Sequence, residues 1–435
     1  MQPALPVTTG PLAARCSSPI RLTGERLTVH RETGEIVERF RSADAPDGVV
    51  LVACGNRRSS RCPSCSTIYR RDAFSLVRAG VAGDLARGIS SELASHPRVF
   101  ATLTVPSFGA VHRRLVRGSS VLPCRARATD TTCVHGRPIS CCIRHDQDDA
   151  ALGQPLCPHC YDYEGAVLWN AHAGALWRRT TIRMTRILAA RAGVSRTELG
   201  DLVRVSFVKV AEFQARGLVH LHVILRLDGP ERSAPPSWAN TDLLAQIVAE
   251  AAPQTWLRTQ RPDGMPLVVR WGSQLDIRSI RPNAQGEGSD TRVAGYLAKY
   301  ATKAAENAGG ADRRLRSAYE IGLLPVTDHA RAMMATCWAL GGDPRYEHLR
   351  LRAWAHMLGF RGHFLTKARR YSITFGALRT ARVRFRTKLA LIARALAGEP
   401  VFDPDSTLLI GGFSFAGVGL PNITGAHWSA EGSAP

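Results

Sequence analysis

The chain has 435 residues, 57 Lys and Arg against 36 Asp and Glu, a net charge of +21, and a hydrophobic fraction of 45%. That length implies two or three domains with substantial cores, and the cationic surplus sets the chain apart from ordinary cytosolic enzymes, because like-charge repulsion works against compaction. Basic residues spread over several segments point to nucleic acid, and with no leader-like start and no run of about 18 apolar residues, a soluble cytoplasmic protein without a membrane partner is expected.

Residues 1–50 read as an irregular lead-in, punctuated by Pro and Gly, with one hairpin over Arg26–Val37. A helical period runs from Asp72 to Leu93 and ends near Pro97. Phe100–Val105 alternates and stops at Pro106, which marks a strand. Residues 107–165 show no clear helix or strand but hold many Cys and His residues. A metal-stapled insertion accounts for so long an irregular stretch. Leu168–Ala192 is helical, with Arg179, Arg183 and Arg186 on one face at i, i+4 and i+7.

Two strand-like runs follow, Val203–Phe213 and Leu218–Leu227, joined by Gln214–Gly217 as a hairpin. Asn240–Ala251 reads as a helix, Leu267–Ile280 as one or two strands, and Thr291–Asn307 as an Ala-rich helix. Helices are expected around 328–340 and 345–358. Between Arg345 and Ala390 there are 12 Lys and Arg and one acidic residue, Glu347. This tract, including Lys367, Arg369 and Arg370, is a candidate phosphate-binding surface, as is the Arg179–Arg183–Arg186 stripe. The segments divide as 1–97, 98–307 with the Cys/His-rich insertion at about 110–165, and a basic, mainly helical 308–435.

Eleven cysteines in a chain with no export signal argue against a disulfide framework. Cys54 precedes Cys62-Pro-Ser-Cys65, and Cys157-Pro-His-Cys160 lies downstream. Each CPxC pair can form a knuckle aimed at one tetrahedral zinc, and two knuckles make a four-cysteine site. Cys124, Cys133, His135, Cys141, Cys142 and His145 lie between them and suffice for a second. The structural zinc ligands expected are Cys54, Cys62, Cys65, Cys133, Cys142, His145, Cys157 and Cys160, their grouping open. Cys16 and Cys337 read as buried small hydrophobes.

In the run Val219–Leu227 the odd positions are apolar, so His220 and His222 point together to the other strand face. A hairpin turning about Arg216 sets Glu212 opposite His220 on that face. Two imidazoles and a carboxylate with open positions suit Mg or Mn, and also zinc. On the helix containing Gly295-Tyr-Leu-Ala-Lys-Tyr-Ala-Thr-Lys303, residues Tyr296, Tyr300 and Lys303 form one stripe at i, i+4 and i+7. Beside a metal site in a basic protein, that stripe reads as tyrosine nucleophiles with a cationic assistant.

Phe100-Ala-Thr-Leu-Thr104, His220-Leu-His222 and Tyr296-x-x-x-Tyr300-x-x-Lys303 resemble the three ordered motifs of HUH endonucleases. Among these the chain is most similar to rolling-circle replication initiators (Rep) of actinobacterial plasmids and integrative conjugative elements. Gly359–Tyr371 and the Cys54/Cys62/Cys65 module share that likeness. The resemblance implies an α+β fold in which a five-stranded antiparallel sheet flanked by helices carries HxH on a central strand. It implies that His220 and His222 hold Mg or Mn, with Glu212 the third ligand inferred from the hairpin, and that a tyrosine assisted by Lys303 is the nucleophile; Tyr300, nearest that lysine, is taken as the first and Tyr296 as the second. It further implies a 5′-phosphotyrosine link and a free 3′-OH that primes synthesis. No GxxxxGK[ST] loop is present, so host helicase and polymerase are expected partners beside origin DNA. A two-tyrosine transposase and a non-catalytic, zinc-dependent DNA-binding regulator are the competing readings.

Overall fold

The computed structural model describes residues 15–127, 131–280, 288–302, 309–399 and 401–420. Lys303 lies outside them. In chain order the strands are β1 (Ile20–His30), β2 (Ile36–Arg41), β3 (Val50–Val52), β4 (Arg98–Leu103), β5 (Leu115–Arg117), β6 (Ser120–Leu122), β7 (Arg204–Phe213), β8 (Val219–Asp228), β9 (Trp256–Gln260), β10 (Pro266–Arg270), β11 (Leu275–Ser279), β12 (Leu365–Lys367) and β13 (Thr407–Val418). The helices are α1 (Pro63–Ala82), α2 (Tyr163–Ala192), α3 (Arg196–Leu202), α4 (Thr241–Ala251), α5 (Gly288–Thr302), α6 (Ala318–Leu323), α7 (Asp328–Leu340), α8 (Leu351–Trp354) and α9 (Phe375–Leu396). The architecture is α+β with antiparallel sheets.

The chain forms two compact units, one of residues 1–72 with 374–435 and one of residues 73–373. This division differs from the sequential boundaries expected at 97 and 307. In the first unit, β13 pairs antiparallel with β1 from Ile20↔Val418 to His30↔Thr407, and β1 also pairs with β2 and β3. The last described strand therefore returns to the first. Among the described residues no helix is long and apolar enough to cross a membrane.

The second unit is built on a five-stranded antiparallel sheet ordered β11-β4-β8-β7-β12, with β8 in the middle. One face of β8 presents Val219, Leu221, Val223, Leu225 and Leu227, all buried in the main core with Leu176, Met184 and Leu188 of α2. Helix α2 starts at Asp162, whose side chain accepts a hydrogen bond from the Gly165 amide (2.8 Å), and ends at Gly193 in the left-handed region. Buried apolar area at about 25 cal/mol per Å2 dominates the stabilisation of such a layer pair.

The other face is covered differently. Arg98 and Arg226, fully buried neighbours across β4 and β8, donate to the carbonyls of Val81 and Gly80 near the end of α1. Arg226 also pairs with Asp228 (2.8 Å), and its guanidinium lies 5.1 Å from the Tyr371 ring centroid. Gly80 is required there, because a Cβ would run into the Tyr371 ring.

Several boundaries depart from the sequence expectation. The helix expected over 72–93 is α1, which starts earlier, with Pro63 at its first position, and stops where Gly83 adopts φ +79° against the Ser90 carbonyl. The helix expected over 345–358 is broken by Arg350 and Leu358, both in the left-handed region at φ 52°. The stretch 107–165 contains a small hairpin, β5–β6, and the pair β9–β10 includes one strand not foreseen.

Lys209 of β7 stands opposite Val223, on the apolar core face of the sheet. Burial brings its ammonium down from 10.5 to about 8. The unfolded chain therefore binds more protons than the folded chain between these values, and stability rises as pH climbs from about 8 to 10.5. Lys209→Met is expected to abolish that rise and to add about 2 kcal/mol at pH 7. Denaturant midpoints measured across this pH range check both effects.

Candidate active site and metal groups

The hairpin β7–β8 pairs Glu212 with His220 and Val210 with His222. Its turn is held from outside. Arg216 donates to the carbonyls of Val105 (3.0 Å) and Pro106 (3.1 Å), just beyond β4. Asn170, buried on α2, donates to the carbonyls of Gly217 and Leu358 (2.8 Å each) and accepts from the Val219 amide at 3.2 Å. Gly217 takes φ +73° in this turn, a conformation that costs glycine little.

The result is a convergence of three ligand-type groups. Nε2 of His220 and Nε2 of His222 lie 2.9 and 3.0 Å from the same carboxylate oxygen of Glu212. The three donor atoms all fall within 4.8 Å of one another, a spacing that one metal ion can bridge. Thr102, opposite His222 on β4, pairs its hydroxyl with Nδ1 of that ring (3.2 Å) and so leaves Nε2 turned to the carboxylate. Phe100 stacks on His222 with centroids 5.8 Å apart. The Phe100–Thr104 segment thus acts by orienting an imidazole.

Helix α5 buries Ala294, Leu297, Ala298 and Ala301 and brings its tyrosines to this site. The rings of Tyr296 and Tyr300 lie 5.3 and 5.1 Å from the His222 ring, and 4.6 Å from each other. Burial, the hydrogen bond with Tyr300 and the negative charge of Glu212 push the Tyr296 phenol above its ordinary value. Tyr296 is nevertheless 41% exposed, open to a substrate. The start of α5 is tied to the sheet by Asp290, 3.3 Å from the buried Arg98 guanidinium.

Three further groups stand apart from this one. Cys16, Cys54, Cys62 and Cys65 cluster with sulfur separations of 3.7–3.8 Å. A tetrahedron of sulfurs about 2.3 Å from a zinc ion has an edge of about 3.8 Å, whereas a disulfide requires about 2 Å. All these cysteines are free. His112, Cys124, Cys141 and His145 form a second group, in which Nδ1 of His145 pairs with Asp149 (2.6 Å) and Nε2 faces Cys141. Cys133, His135, Cys157 and Cys160 form a third.

These groupings correct the sequence reading at three points. The two CPxC knuckles do not share a site. Cys62 and Cys65 join Cys16 and Cys54, while Cys157 and Cys160 join Cys133 and His135. Cys142 is exposed and outside every group, because its neighbour Cys141 takes the inward position in the bridge to Arg125. Cys16 is a member of the first group, unlike Cys337, which lies in the apolar core. His112 had no CxxC-type signal to mark it.

Among the candidate phosphate contacts, Arg183 and Arg186 carry no hydrogen bond or ion pair among the described residues, and Arg179 donates to the Trp256 carbonyl at 2.9 Å. Lys367 is half-buried and donates to the Ser372 carbonyl (2.9 Å), so it braces its own turn, while Arg369 and Arg370 are exposed.

The chain matches the RepSA family model, described as replication initiator protein, pSAM2, over residues 11–434. It is 47% identical over 411 residues to a replication initiator protein of Streptomyces ambofaciens, covering 93% of this chain and 84% of the relative. No solved structure matches. The chain belongs to the RepSA family of replication initiators.

Asp290→Ala would leave Arg98 buried without its carboxylate, and breaking such a pair costs about 3–5 kcal/mol. The expected drop in stability is read from denaturant midpoints; an unchanged midpoint would show that α5 is anchored by its apolar face alone.

Proposed function

We propose that this chain is a rolling-circle replication initiator of the HUH type, carried by an actinobacterial plasmid or integrative conjugative element and acting in the cytoplasm on origin DNA. The observation that carries the reading is the placement of two tyrosine rings within 5.3 Å of an imidazole that shares one carboxylate oxygen with a second imidazole. Family membership supports initiation over the transposase reading, and the tyrosines beside the metal-type group favour catalysis over the regulator reading.

The donor set fits a divalent ion, since two imidazole nitrogens and a carboxylate oxygen leave coordination positions open. Mg or Mn held by Glu212, His220 and His222 would supply Lewis acidity to a scissile phosphate and help fix it in line. The chain's own part is nucleophilic. Tyr300 Oη attacks phosphorus, the bond to O3′ breaks, and O3′ takes a proton to become the free 3′-OH primer. The phenol gives up its proton as it attacks, with Lys303 as the cationic assistant. The 5′-phosphotyrosine link retains the diester's energy, so at termination Tyr296, one helical turn away, cleaves the regenerated origin in the same way, and the 3′-OH this frees attacks the Tyr300 link, displacing the phenol and resealing the strand. Thr102 and Phe100 hold His222 in place throughout. Unwinding and synthesis fall to host helicase and polymerase.

Incubation with Mn and a labelled single-stranded origin oligonucleotide is expected to give a covalent adduct on denaturing gels. Tyr300→Phe should lower the adduct roughly a thousandfold or more, and His220→Ala combined with His222→Ala should abolish it. An adduct that survives the double histidine change would sink the metal assignment, and peptide mapping of the adduct identifies the linked tyrosine.

The three remaining groups are proposed as structural zinc sites, on the tetrahedral sulfur spacing and the His145–Asp149 pairing. Elemental analysis is expected to find about three zinc ions per chain. Cys16→Ser should lose one and Cys142→Ser none; a loss with Cys142→Ser would overturn the grouping.

A further inference from the structure

A groove of about 360 Å3 lies between the outward face of α2 and the start of β9, lined by Arg179, Ile182, Arg183, Arg186, Gln254, Thr255 and Trp256. Its walls are an arginine stripe and an indole that is 47% exposed. Arg258 lies over that indole at 5.3 Å from the centroid. Arg270 stands opposite Trp256 in the β9–β10 ladder, which puts its side chain on the same sheet face. The side chains of Arg183, Arg186, Arg258 and Arg270 have no ion pair or hydrogen bond among the described residues. A half-exposed tryptophan amid unneutralised cations is costly in an unliganded surface, because each cation repels the next and the part of the indole that Arg258 leaves uncovered meets water.

We propose that this groove is a binding site for single-stranded DNA, with an unpaired base stacked on Trp256 and successive phosphates on Arg183, Arg186 and the guanidinium donors that Arg179 keeps beside its one bond to the Trp256 carbonyl. From Arg179 to Arg186 the helix advances about 10 Å, so the guanidinium groups follow a backbone and do not converge on one isolated anion. The exposed indole selects unpaired bases, since the flat faces of bases in a duplex are already stacked on each other. The site is separate from the tyrosine centre. The opposite side of α2 packs on the sheet face bearing Leu221, and His220 and His222 project from the other face of that sheet. The groove therefore holds unpaired DNA away from the reacting phosphate, as a displaced strand requires.

The inference does not rest on the tyrosine chemistry, and its test is a binding measurement. Full-length protein carrying Tyr296→Phe and Tyr300→Phe is titrated against a fluorescent oligo(dT) across a salt series, with a hairpin-free duplex of the same length run in parallel. Trp256→Ala is expected to weaken oligo(dT) binding about tenfold with little change in salt slope, and Trp256→Phe to restore most of it. Arg183→Gln combined with Arg186→Gln should flatten the slope for single strands by about 1.4, near 0.7 per lost phosphate contact. These arginines are surface residues, so that variant reads the groove even if Trp256→Ala perturbs β9. Oligo(dT) affinity and slope unchanged in the arginine variant would overturn the proposal. So would losses that are equal for duplex and single strand, which would make the groove a duplex contact.

Discussion

Everything at the centre of this protein depends on the register in which β7 pairs with β8. Side chains alternate across a strand, so a slip of β7 by one residue against β8 would send Glu212 to the face opposite His220 and His222. The register is fixed at the turn, and from three directions. Arg216 reaches back to the end of β4, Asn170 reaches up from α2, and the ring of His329 donates to the Arg216 carbonyl at 3.0 Å. These contacts satisfy backbone groups that would otherwise be buried unpaired. The same hydrogen bonds that close the core therefore set the geometry of a site on the far side of the sheet.

The two faces of that sheet show how stability and chemistry are divided. One is apolar on its three central strands apart from Lys209 and is sealed by α2. The other mixes buried apolar residues, Val208, Val210 and Ile224, with buried charged ones, Arg98, Arg226 and Asp228, set beyond Phe100 and His222 and met by Asp290 of α5. Burial raises the Asp228 carboxyl, but hydrogen bonds from His96 and Arg226 outweigh it and hold the group near 2. A buried guanidinium that serves both a carbonyl on α1 and a carboxylate is geometrically demanding, and such groups specify one arrangement more than they add stability. Helix α5 meets the sheet through Asp290 of this set. The tyrosines are thereby referenced to the strands that carry the histidines, although they belong to a helix more than sixty residues downstream.

What could be read from the chain was local. Alternation over 219–227 gives the direction of His220 and His222, counting back through Gln214–Gly217 gives Glu212, and a spacing of four gives the tyrosine pair. Each lies within reach of a single periodicity or a short hairpin. The metal groups were not legible in this way. His112 and Cys141 meet across an irregular chain with no repeat to signal it, and Cys16 joins Cys62 and Cys65 only because β1 and β3 bring their flanking loops together. The pairing of β1 with β13 spans nearly the whole chain and has no sequence signature at all. Contacts of that range are decided by packing.

The surplus of +21 is likewise not one property once the arginines are sorted by what they touch. Arg98, Arg226, Arg216, Arg261 and Arg382 are committed to carbonyls or carboxylates within the fold, and Lys367 to its own turn. Counting such residues as DNA contacts inflates the apparent interface, because a cation already bonded inside the protein would have to break those bonds to reach a phosphate. The cations left to act on a partner are fewer. Where Arg183, Arg186, Arg258 and Arg270 gather, they gather around an exposed tryptophan. Charge alone would favour duplex and single strand alike. The indole breaks that symmetry, since only unpaired bases offer it a free face. In the proposed groove, discrimination between unpaired and duplex DNA is then a matter of one aromatic side chain placed among the cations.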